Sequence, residues 1–191
     1  FFNYRCLSFK HWIFKSIFNT HKILRSDLEQ LPLCYDYFND KEKFLNDLGF
    51  KAECVLDPTL LLNKNEWKEV EKEQENIPQN YLLIYELITS KYLTNIAKFI
   101  AKVKGLKIVR ICKDSYSEDS DSTIINIINA GPAEFVYLFS HANYIVTNSF
   151  HGTAFSINLR NDINVVIASG RSNSNRQRII LNLTNRTHSL I

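Results

Sequence analysis

The sequence lacks several features that would each point to a class of protein. It has no methionine, even at position 1, and it begins Phe1-Phe2, which favours a fragment, a processed product or an incomplete gene product. It has no uninterrupted apolar run of the roughly 20 residues that a membrane-spanning helix requires. Its start has neither the compact apolar core nor the small-residue cleavage site of a secretory signal. The sequence therefore predicts no membrane span and no secretory signal.

The few cysteines form neither a metal-binding nor a disulfide pattern. None belongs to a Cys-x-x-Cys pair, and no histidine stands at metal-ligand spacing. Free thiols in a reducing cytoplasm are the simplest interpretation, and nothing in the sequence requires a metal or another cofactor. The four residues are Cys6, Cys34, Cys54 and Cys112.

Acidic residues are missing from the first 25 positions, although the net charge of the whole chain is only +3. This modest charge does not indicate a nucleic-acid-binding protein. The basic residues of this segment alternate with apolar ones in a pattern typical of an amphipathic helix. Such a helix either lies on an anionic membrane face or packs against protein, and the sequence leaves both alternatives open. The apolar residues are Phe9, Trp12, Ile13, Ile17 and Phe18.

The rest of the chain has the composition of a globular domain, with 45% hydrophobic and 23% charged residues. After a connector over residues 26–40, short apolar runs alternate with segments of helical periodicity. This alternation predicts an α/β fold with a doubly wound, mostly parallel sheet. The pattern does not decide whether residues 124–128 form a strand or a helix. Helices are predicted at 41–48, after Asn63 or Asn65, at 91–103 and after Gly131, and strands at 52–56, 81–85, 107–111, 144–147 and 164–168.

Residues 144–159 hold the most informative pattern, a strand followed by a tight loop and a helix beginning near Thr153. A strand of this kind delivers the loop to the carboxyl edge of the sheet, where ligands of doubly wound folds bind. Gly152 would let the backbone approach a ligand, and the helix start would direct N–H groups at an anion. His151 could exchange a proton there near neutral pH. The segment therefore predicts an anion site with a candidate acid or base.

Several neighbouring residues have two interpretations each. Asn148 and Ser149 either donate to the anion or cap the turn and the helix. Asp57 is either a ligand-contacting carboxylate or a turn residue before Pro58. The arginines of the tail either close over the anion or belong to a basic surface loop. These arginines are Arg171, Arg176, Arg178 and Arg186.

Three blocks of this sequence together resemble a known family. Residues 147–156 (Thr-Asn-Ser-Phe-His-Gly-Thr-Ala-Phe-Ser) are similar to the signature of the polysaccharide pyruvyl transferases. Residues 131–135 and 55–62 resemble that family's two other recurrent blocks, in the same order. The resemblance covers roughly residues 41–186 and implies a glycosyltransferase-like, Rossmann-like domain at 41–191. Residues 1–40 would then be an irregular or helical remnant of an acceptor-binding domain.

The resemblance implies that the chain transfers a pyruvyl group from phosphoenolpyruvate to a sugar of a cell-surface polysaccharide such as a capsule or an exopolysaccharide, forming a pyruvate ketal. His151 would be the catalytic acid or base, or the histidine that binds the phosphate. Some members have arginine where Ser149 stands, and Arg178-Ile179 resembles a late Arg-Ile pair of the family. The implied donor-site residues are Asn148, Ser149, Phe150, Gly152, Thr153 and Arg178.

Two other functions are consistent with the same residues. One is a non-catalytic remnant that binds a phosphorylated metabolite, and the other is half of a nucleotide-sugar glycosyltransferase. For the pyruvyl transferase, the expected partners are phosphoenolpyruvate and a sugar or lipid-linked oligosaccharide acceptor. The expected location is the cytoplasm, with the inner membrane face as an open alternative. The sequence also leaves a homo-oligomer open, and it predicts no nucleic-acid partner.

Overall fold

The computed structural model describes residues 33–36, 47, 52–55, 57–87, 89–112, 121–128, 130–159, 162–166 and 174–191. The chain divides into two compact units, Phe1–Leu62 and Asn63–Ile191. The predicted domain boundary after residue 40 falls within the first unit. The helix predicted in the first 25 residues lies outside the described residues. The same holds for the helix predicted at 41–48, except for Asp47, which is helical.

The first unit contains two short parallel strands, β1 (Leu33–Asp36) and β2 (Ala52–Val55). β2 confirms the strand predicted at residues 52–56. β1 lies in the segment that the sequence predicted as a connector. Its strand state depends on hydrogen bonds to β2, and such long-range pairing can override a weak local preference. The local pattern therefore gave no sign of this strand.

Asp57 is a turn residue of the first unit. Its carboxylate accepts a hydrogen bond from the Thr59 N–H at 3.0 Å, and its carbonyl accepts one from the Leu60 N–H at 2.9 Å. The side chain is buried, at 3% exposure. Of the two interpretations of Asp57, the structure thus supports the turn, because the carboxylate bonds its own local backbone.

The second unit contains a five-stranded sheet in the order β5-β4-β3-β6-β7, in which every neighbouring pair is parallel. The chain winds outward from β3 to β5, returns to β6 on the other side of β3, and continues outward to β7. This is the predicted doubly wound α/β fold. Its elements are α1 (Lys64–Lys68), β3 (Tyr81–Tyr85), α2 (Lys91–Lys104), β4 (Lys107–Cys112), β5 (Ile124–Ile128), α3 (Pro132–His141), β6 (Tyr144–Thr147), α4 (Phe150–Leu159), β7 (Asp162–Val165) and α5 (Ser174–Leu183).

The two faces of this sheet bury different kinds of side chain. Leu82 and Ile84 of β3 point to one face, where they pack in an aliphatic cluster with Leu93 and Ala97 of α2. Tyr85 points to the opposite face because side chains alternate along a strand. There its ring packs edge-on against Phe135 of α3 at 5.0 Å between centroids. The aromatic cluster continues along α3, α4 and α1 through the pairs Phe135–Phe155 and Trp67–Phe155.

Most helix boundaries follow from capping residues that the sequence displays. The Asn63 side chain caps α1 and forms a capping box with Glu66. Gly105 ends α2 in the left-handed conformation, with φ of 65°. Pro132 occupies the first turn of α3, as predicted. In the described part of the chain, no helix has the length and apolar character needed to cross a bilayer.

Three elements of the second unit outside the His151 segment differ from their predictions or were left undecided. Residues 124–128 form a strand, β5, which settles the open alternative. β7 begins at Asp162, two residues before the predicted start, because Asp162 pairs with Tyr144 of β6. The basic tail, which the sequence pattern left unassigned, contains a helix, α5.

Candidate functional site

The candidate site lies at the point where the winding direction of the sheet reverses. β3 and β6 are neighbours, but the connections that follow them run to opposite sides of the sheet. The loops after these two strands therefore diverge, and the carboxyl edge between them, where such folds bind ligands, is called the crevice here. The segment from Asn148 to Thr153 begins directly at this edge, after Thr147.

Two hydrogen bonds fasten the ends of β3 and β6 together at the crevice. The Thr147 hydroxyl donates to the Tyr85 carbonyl at 2.5 Å. The Leu87 N–H donates to Oδ1 of Asn148 at 3.0 Å. Asn148 is half-buried. Its bond to Leu87 holds the loop after β3 against the start of the segment that carries His151. This bond to another loop is neither the anion contact nor the turn and helix cap that the sequence offered as roles for Asn148.

Ser149 caps helix α4 from a fully buried position. Its carbonyl accepts from the Thr153 N–H at 2.9 Å, and its hydroxyl accepts from the Gly152 N–H at 3.4 Å. The Thr153 hydroxyl also donates to the Ser149 carbonyl, and both side chains have 0% exposure. The helix consequently begins at Phe150, so the predicted start near Thr153 was wrong by about one turn. A serine in this position satisfies an N–H group of the first turn.

Gly152 is needed for the contact between α4 and the strands beneath it. A Cβ atom at this position would overlap Oγ1 of Thr147 and would lie 3.0 Å from Cδ1 of Tyr85. The sequence predicted a close backbone approach at this glycine, with a ligand as the partner. In the structure, the partner in that close approach is the protein itself.

His151 lies in the first turn of α4 and is half-buried. Its ring packs edge-on against the ring of Phe150, with 5.7 Å between centroids. The first turn of a helix carries a partial positive charge from its N–H groups, which favours anions. His151 is therefore the one proton-exchanging side chain of the predicted segment, and it stands at the positive end of a helix.

An arginine from α5 packs on the same phenyl ring. The guanidinium carbon of Arg176 lies 3.8 Å from the centroid of Phe150, in the geometry of a cation–π contact. Phe150 itself is buried, at 7% exposure. The Phe150 ring therefore has two neighbours, a histidine on its own helix and an arginine on the following helix.

The remaining arginines of the tail stand elsewhere. Arg178, the arginine selected from the sequence, is exposed on α5. Residues two apart on a helix point in directions about 200° apart, so a helix that turns Arg176 toward Phe150 turns Arg178 away. Arg186 follows α5 and is half-buried, and Arg171 lies outside the described residues. The sequence offered four arginines, and the family resemblance selected Arg178 among them. The rotation of α5, which decides which arginine faces Phe150, cannot be read from the sequence.

A buried ion pair beside the crevice was not recognised in the sequence. Glu86 directly follows β3, and its Oε1 lies 3.7 Å from Nε of Arg110 on β4. The other carboxylate oxygen accepts from the Ser90 N–H at 3.0 Å, and Nη2 of Arg110 donates to the Thr94 hydroxyl at 2.8 Å. The pair therefore fixes the start of α2 to the sheet. A single arginine in the apolar strand Lys-Ile-Val-Arg-Ile-Cys was the signal that could have revealed it.

The described residues do not form a group of three or more histidine, cysteine, aspartate or glutamate side chains that could hold a metal ion. The cationic and polar groups near His151 are instead suited to an organic anion. An arginine fork and helix N–H groups match the oxygens of phosphate or carboxylate. The arrangement can therefore bind such an anion next to a side chain that gives or takes a proton.

Comparison with known proteins identifies the family. A search of curated protein sequences found no match to the chain. The family model for polysaccharide pyruvyl transferase matches residues 39–160. The match covers nearly two thirds of the chain, including β2, the sheet up to β6 and the whole of α4. The chain belongs to the polysaccharide pyruvyl transferase family.

Proposed function

We propose that this chain holds the donor in a reaction that transfers a pyruvyl group from phosphoenolpyruvate to two hydroxyls of a polysaccharide sugar, giving a pyruvate ketal and phosphate. The observation that carries the proposal is the position of His151, in the first turn of α4 at the carboxyl edge between β3 and β6. Family membership supports the same reaction. A sugar or lipid-linked oligosaccharide is the proposed acceptor, and the cytoplasm is the proposed location.

The donor carries two anionic groups, and the site offers two kinds of positive group. The first turn of α4 suits a phosphate or a carboxylate. Arg176, held on the ring of Phe150 at 3.8 Å, suits the other as a bidentate partner. Arg178 is exposed on the opposite side of α5, so we assign it a smaller part in binding. Asn148 borders the site while it fastens the loop after β3.

The buried residues of the predicted site have a supporting part in this proposal. Ser149 and Thr153 bond each other at the start of α4, and Gly152 lets that helix pack against Thr147. They fix the direction in which His151 projects. Such fixed placement matters because a catalytic group must stay within hydrogen-bond reach of the atom that it protonates.

The proposed chemistry needs one proton and two sugar hydroxyls. His151 donates a proton to the methylene carbon of the donor, so positive charge develops at C2. The first sugar hydroxyl attacks C2 and loses its proton. The second hydroxyl then forms the other C2–O bond while the C2–O bond to phosphate breaks, and its proton passes to the departing phosphate, which yields the ketal and inorganic phosphate. The proton released by the first hydroxyl can restore His151.

Calorimetric titration with phosphoenolpyruvate tests the proposal. His151→Ala and Arg176→Gln should each weaken binding by roughly tenfold or more, because each removes a charge-assisted contact. Arg178→Gln should change binding much less. His188→Ala is the matched control, because His188 is exposed in the turn after α5.

The titration also distinguishes the proposed function from the binding module and from the glycosyltransferase half-domain. Binding that persists unchanged in His151→Ala would contradict the assignment of the site. Donor binding without transfer to any sugar would indicate a binding module. Binding of nucleotide sugars in place of phosphoenolpyruvate would indicate a glycosyltransferase half-domain.

A further inference from the structure

Helix α2 carries an exposed apolar row on the side that faces away from the sheet. Tyr92, Phe99 and Val103 are 60%, 69% and 70% exposed. They are spaced by seven and four residues, so they line up along one side of the helix for about 16 Å. Phe99 and Val103 are the two most exposed large apolar side chains among the described residues. Exposed apolar side chains in a row, unlike isolated ones, indicate an interaction surface.

A row of lysines runs beside this apolar row. Lys91, Lys98 and Lys102 have the same spacing of seven and four residues, and each lies one position before its apolar neighbour. All three are exposed. The helix has a fourth lysine, Lys104, and its sequence contains no acidic residue. One acidic side chain reaches the row from outside, because Asp121 pairs with Lys98.

The lysine row also borders an open groove of about 840 Å³. Lys98 and Lys102 line it together with Lys107 at the start of β4, and Ser122 adds a hydroxyl group. Ammonium and hydroxyl groups are hydrogen-bond donors that suit phosphate oxygens. A phosphate-bearing surface that touched α2 would therefore find donors beside the apolar row.

We propose that the α2 surface, formed by the apolar row and the lysine row, binds an anionic lipid bilayer. The apolar row would enter the boundary between headgroups and acyl chains, and the lysines would contact the lipid phosphates, as in helices that lie in a membrane interface. Charge argues for this occupant over a second copy of the chain. Two copies joined through α2 would bring two lysine-rich helices without acidic residues against each other.

This inference goes beyond the proposed function and does not depend on it. α2 covers the aliphatic face of the sheet, whereas His151 belongs to α4, on the aromatic face. Donor binding and vesicle binding can therefore be lost separately. Bilayer binding would bring the protein to a surface on which a lipid-linked sugar is presented.

Co-sedimentation of the full chain with vesicles tests the proposal, using phosphatidylcholine with and without phosphatidylglycerol. Wild type should bind only the anionic vesicles, and less at high salt. The double change Phe99→Gln with Val103→Gln should weaken binding about tenfold or more. Lys91→Gln and Lys102→Gln should each weaken it about fivefold at low salt. The matched controls are Leu183→Gln on α5, where the leucine is 66% exposed, and Lys68→Gln on α1.

Several results would contradict the proposal, and two of them would indicate a different contact. Unchanged binding in the Phe99/Val103 variant, or loss of binding in Trp12→Gln alone, would overturn the proposal and assign any membrane contact to the first 25 residues. Equal binding to neutral vesicles would also overturn it. If wild type binds no vesicles but forms a dimer that the Phe99/Val103 variant cannot form, the partner is a second copy. Circular dichroism of each variant checks that the fold is intact.

Discussion

At each end of the paired strands β3 and β6, an asparagine side chain accepts a hydrogen bond from a backbone N–H, but the surroundings of the two bonds differ. At the amino end, Oδ1 of Asn143 accepts from the Tyr81 N–H at 3.0 Å, and Tyr81 is 1% exposed. At the carboxyl end, Oδ1 of Asn148 accepts from the Leu87 N–H at 3.0 Å, and Leu87 is 52% exposed. The Asn143 bond is therefore partly buried at the start of β3, whereas the Asn148 bond is exposed and joins the two loops at the carboxyl edge.

We expect one of these bonds to matter mainly for the free energy of unfolding and the other mainly for ligand binding. A backbone N–H that loses its partner in the interior cannot turn to water, whereas one at an exposed loop can. The amino end should therefore contribute more to the free energy of unfolding, and the carboxyl end more to ligand binding. Two predictions concern the ends of this strand pair and a third concerns an ion pair elsewhere in the same unit, in order from the largest expected effect to the smallest.

Gly152→Ala should disturb the carboxyl end most strongly. The added Cβ would overlap Oγ1 of Thr147, which also bonds the Tyr85 carbonyl. Overpacking costs about 1–3 kcal/mol, and the better helix propensity of alanine offsets up to about 1 kcal/mol of it. Chemical unfolding should show a net loss of about 1–2 kcal/mol.

Thr147→Ala supplies the control for this change because it removes the overlapped oxygen. In a Thr147→Ala background, Gly152→Ala should cost close to nothing. If the Gly152→Ala change still lowered the free energy of unfolding by the full amount in that background, the contact with Tyr85, rather than the one with Thr147, would be what excludes a side chain at this position.

The matched pair Asn143→Ala and Asn148→Ala tests the comparison directly. Asn143→Ala should lower the free energy of unfolding by about 1–2 kcal/mol and leave the affinity for phosphoenolpyruvate unchanged. Asn148→Ala should cost less, about 0.5–1 kcal/mol, and should weaken binding of the donor. Urea unfolding and calorimetry on the same samples measure both quantities. Equal effects on affinity would remove the distinction between the two ends.

The smallest effect concerns an ion pair at the start of α3. A side-chain hydrogen bond from Lys72, at 2.9 Å, lowers the pKa of Glu134 below its ordinary value of 4.5. Because the folded-state pKa is the lower one, the pair stabilises the fold above pH 4.5 and loses its contribution as the pH falls through the lowered value. Glu134→Gln should therefore be slightly less stable than wild type at pH 7.

The difference should shrink as the pH falls through the lowered pKa of Glu134, because protonation removes the negative charge of the pair. Unfolding curves at pH 7 and pH 3 measure the change, with Glu66→Gln as a comparison at the capping box of α1. A difference that persists unchanged in acid would mean that Glu134 acts through packing instead of charge. The effect should be small because the Lys72 side chain is 73% exposed.

The sequence predicted what short-range patterns determine. The buried strand at Tyr81–Tyr85, the helix ending at Gly105 and the helix opened by Pro132 all carry local signals, and all are confirmed. β1 carries none, because its pairing with β2 joins segments about twenty residues apart. Local preference is a weak guide where tertiary pairing decides the structure.

The site was predicted as a segment but not as an arrangement of side chains. The pattern around His151 located a loop at the carboxyl edge of the sheet. It could not show that Ser149 points inward, because serine both caps helices and binds anions. It could not choose Arg176 over Arg178, because the choice depends on how α5 is rotated against α4. Directions around a helix follow from packing, which a single sequence does not display.

The bonds that fasten β3 to β6 also determine when the site can form during folding. Thr147 and Asn148 bond residues that precede them by 62 and 61 positions in the chain. The β3–β4–β5 part of the sheet involves much shorter loops, so it can form first. The pairing of β6 with β3 must close a loop of about sixty residues, and only then do both strands that border the site lie side by side. We therefore expect His151 to reach its place in a late, long-range step. A destabilised chain that lost the β3–β6 contact would lose the site while keeping much of its secondary structure.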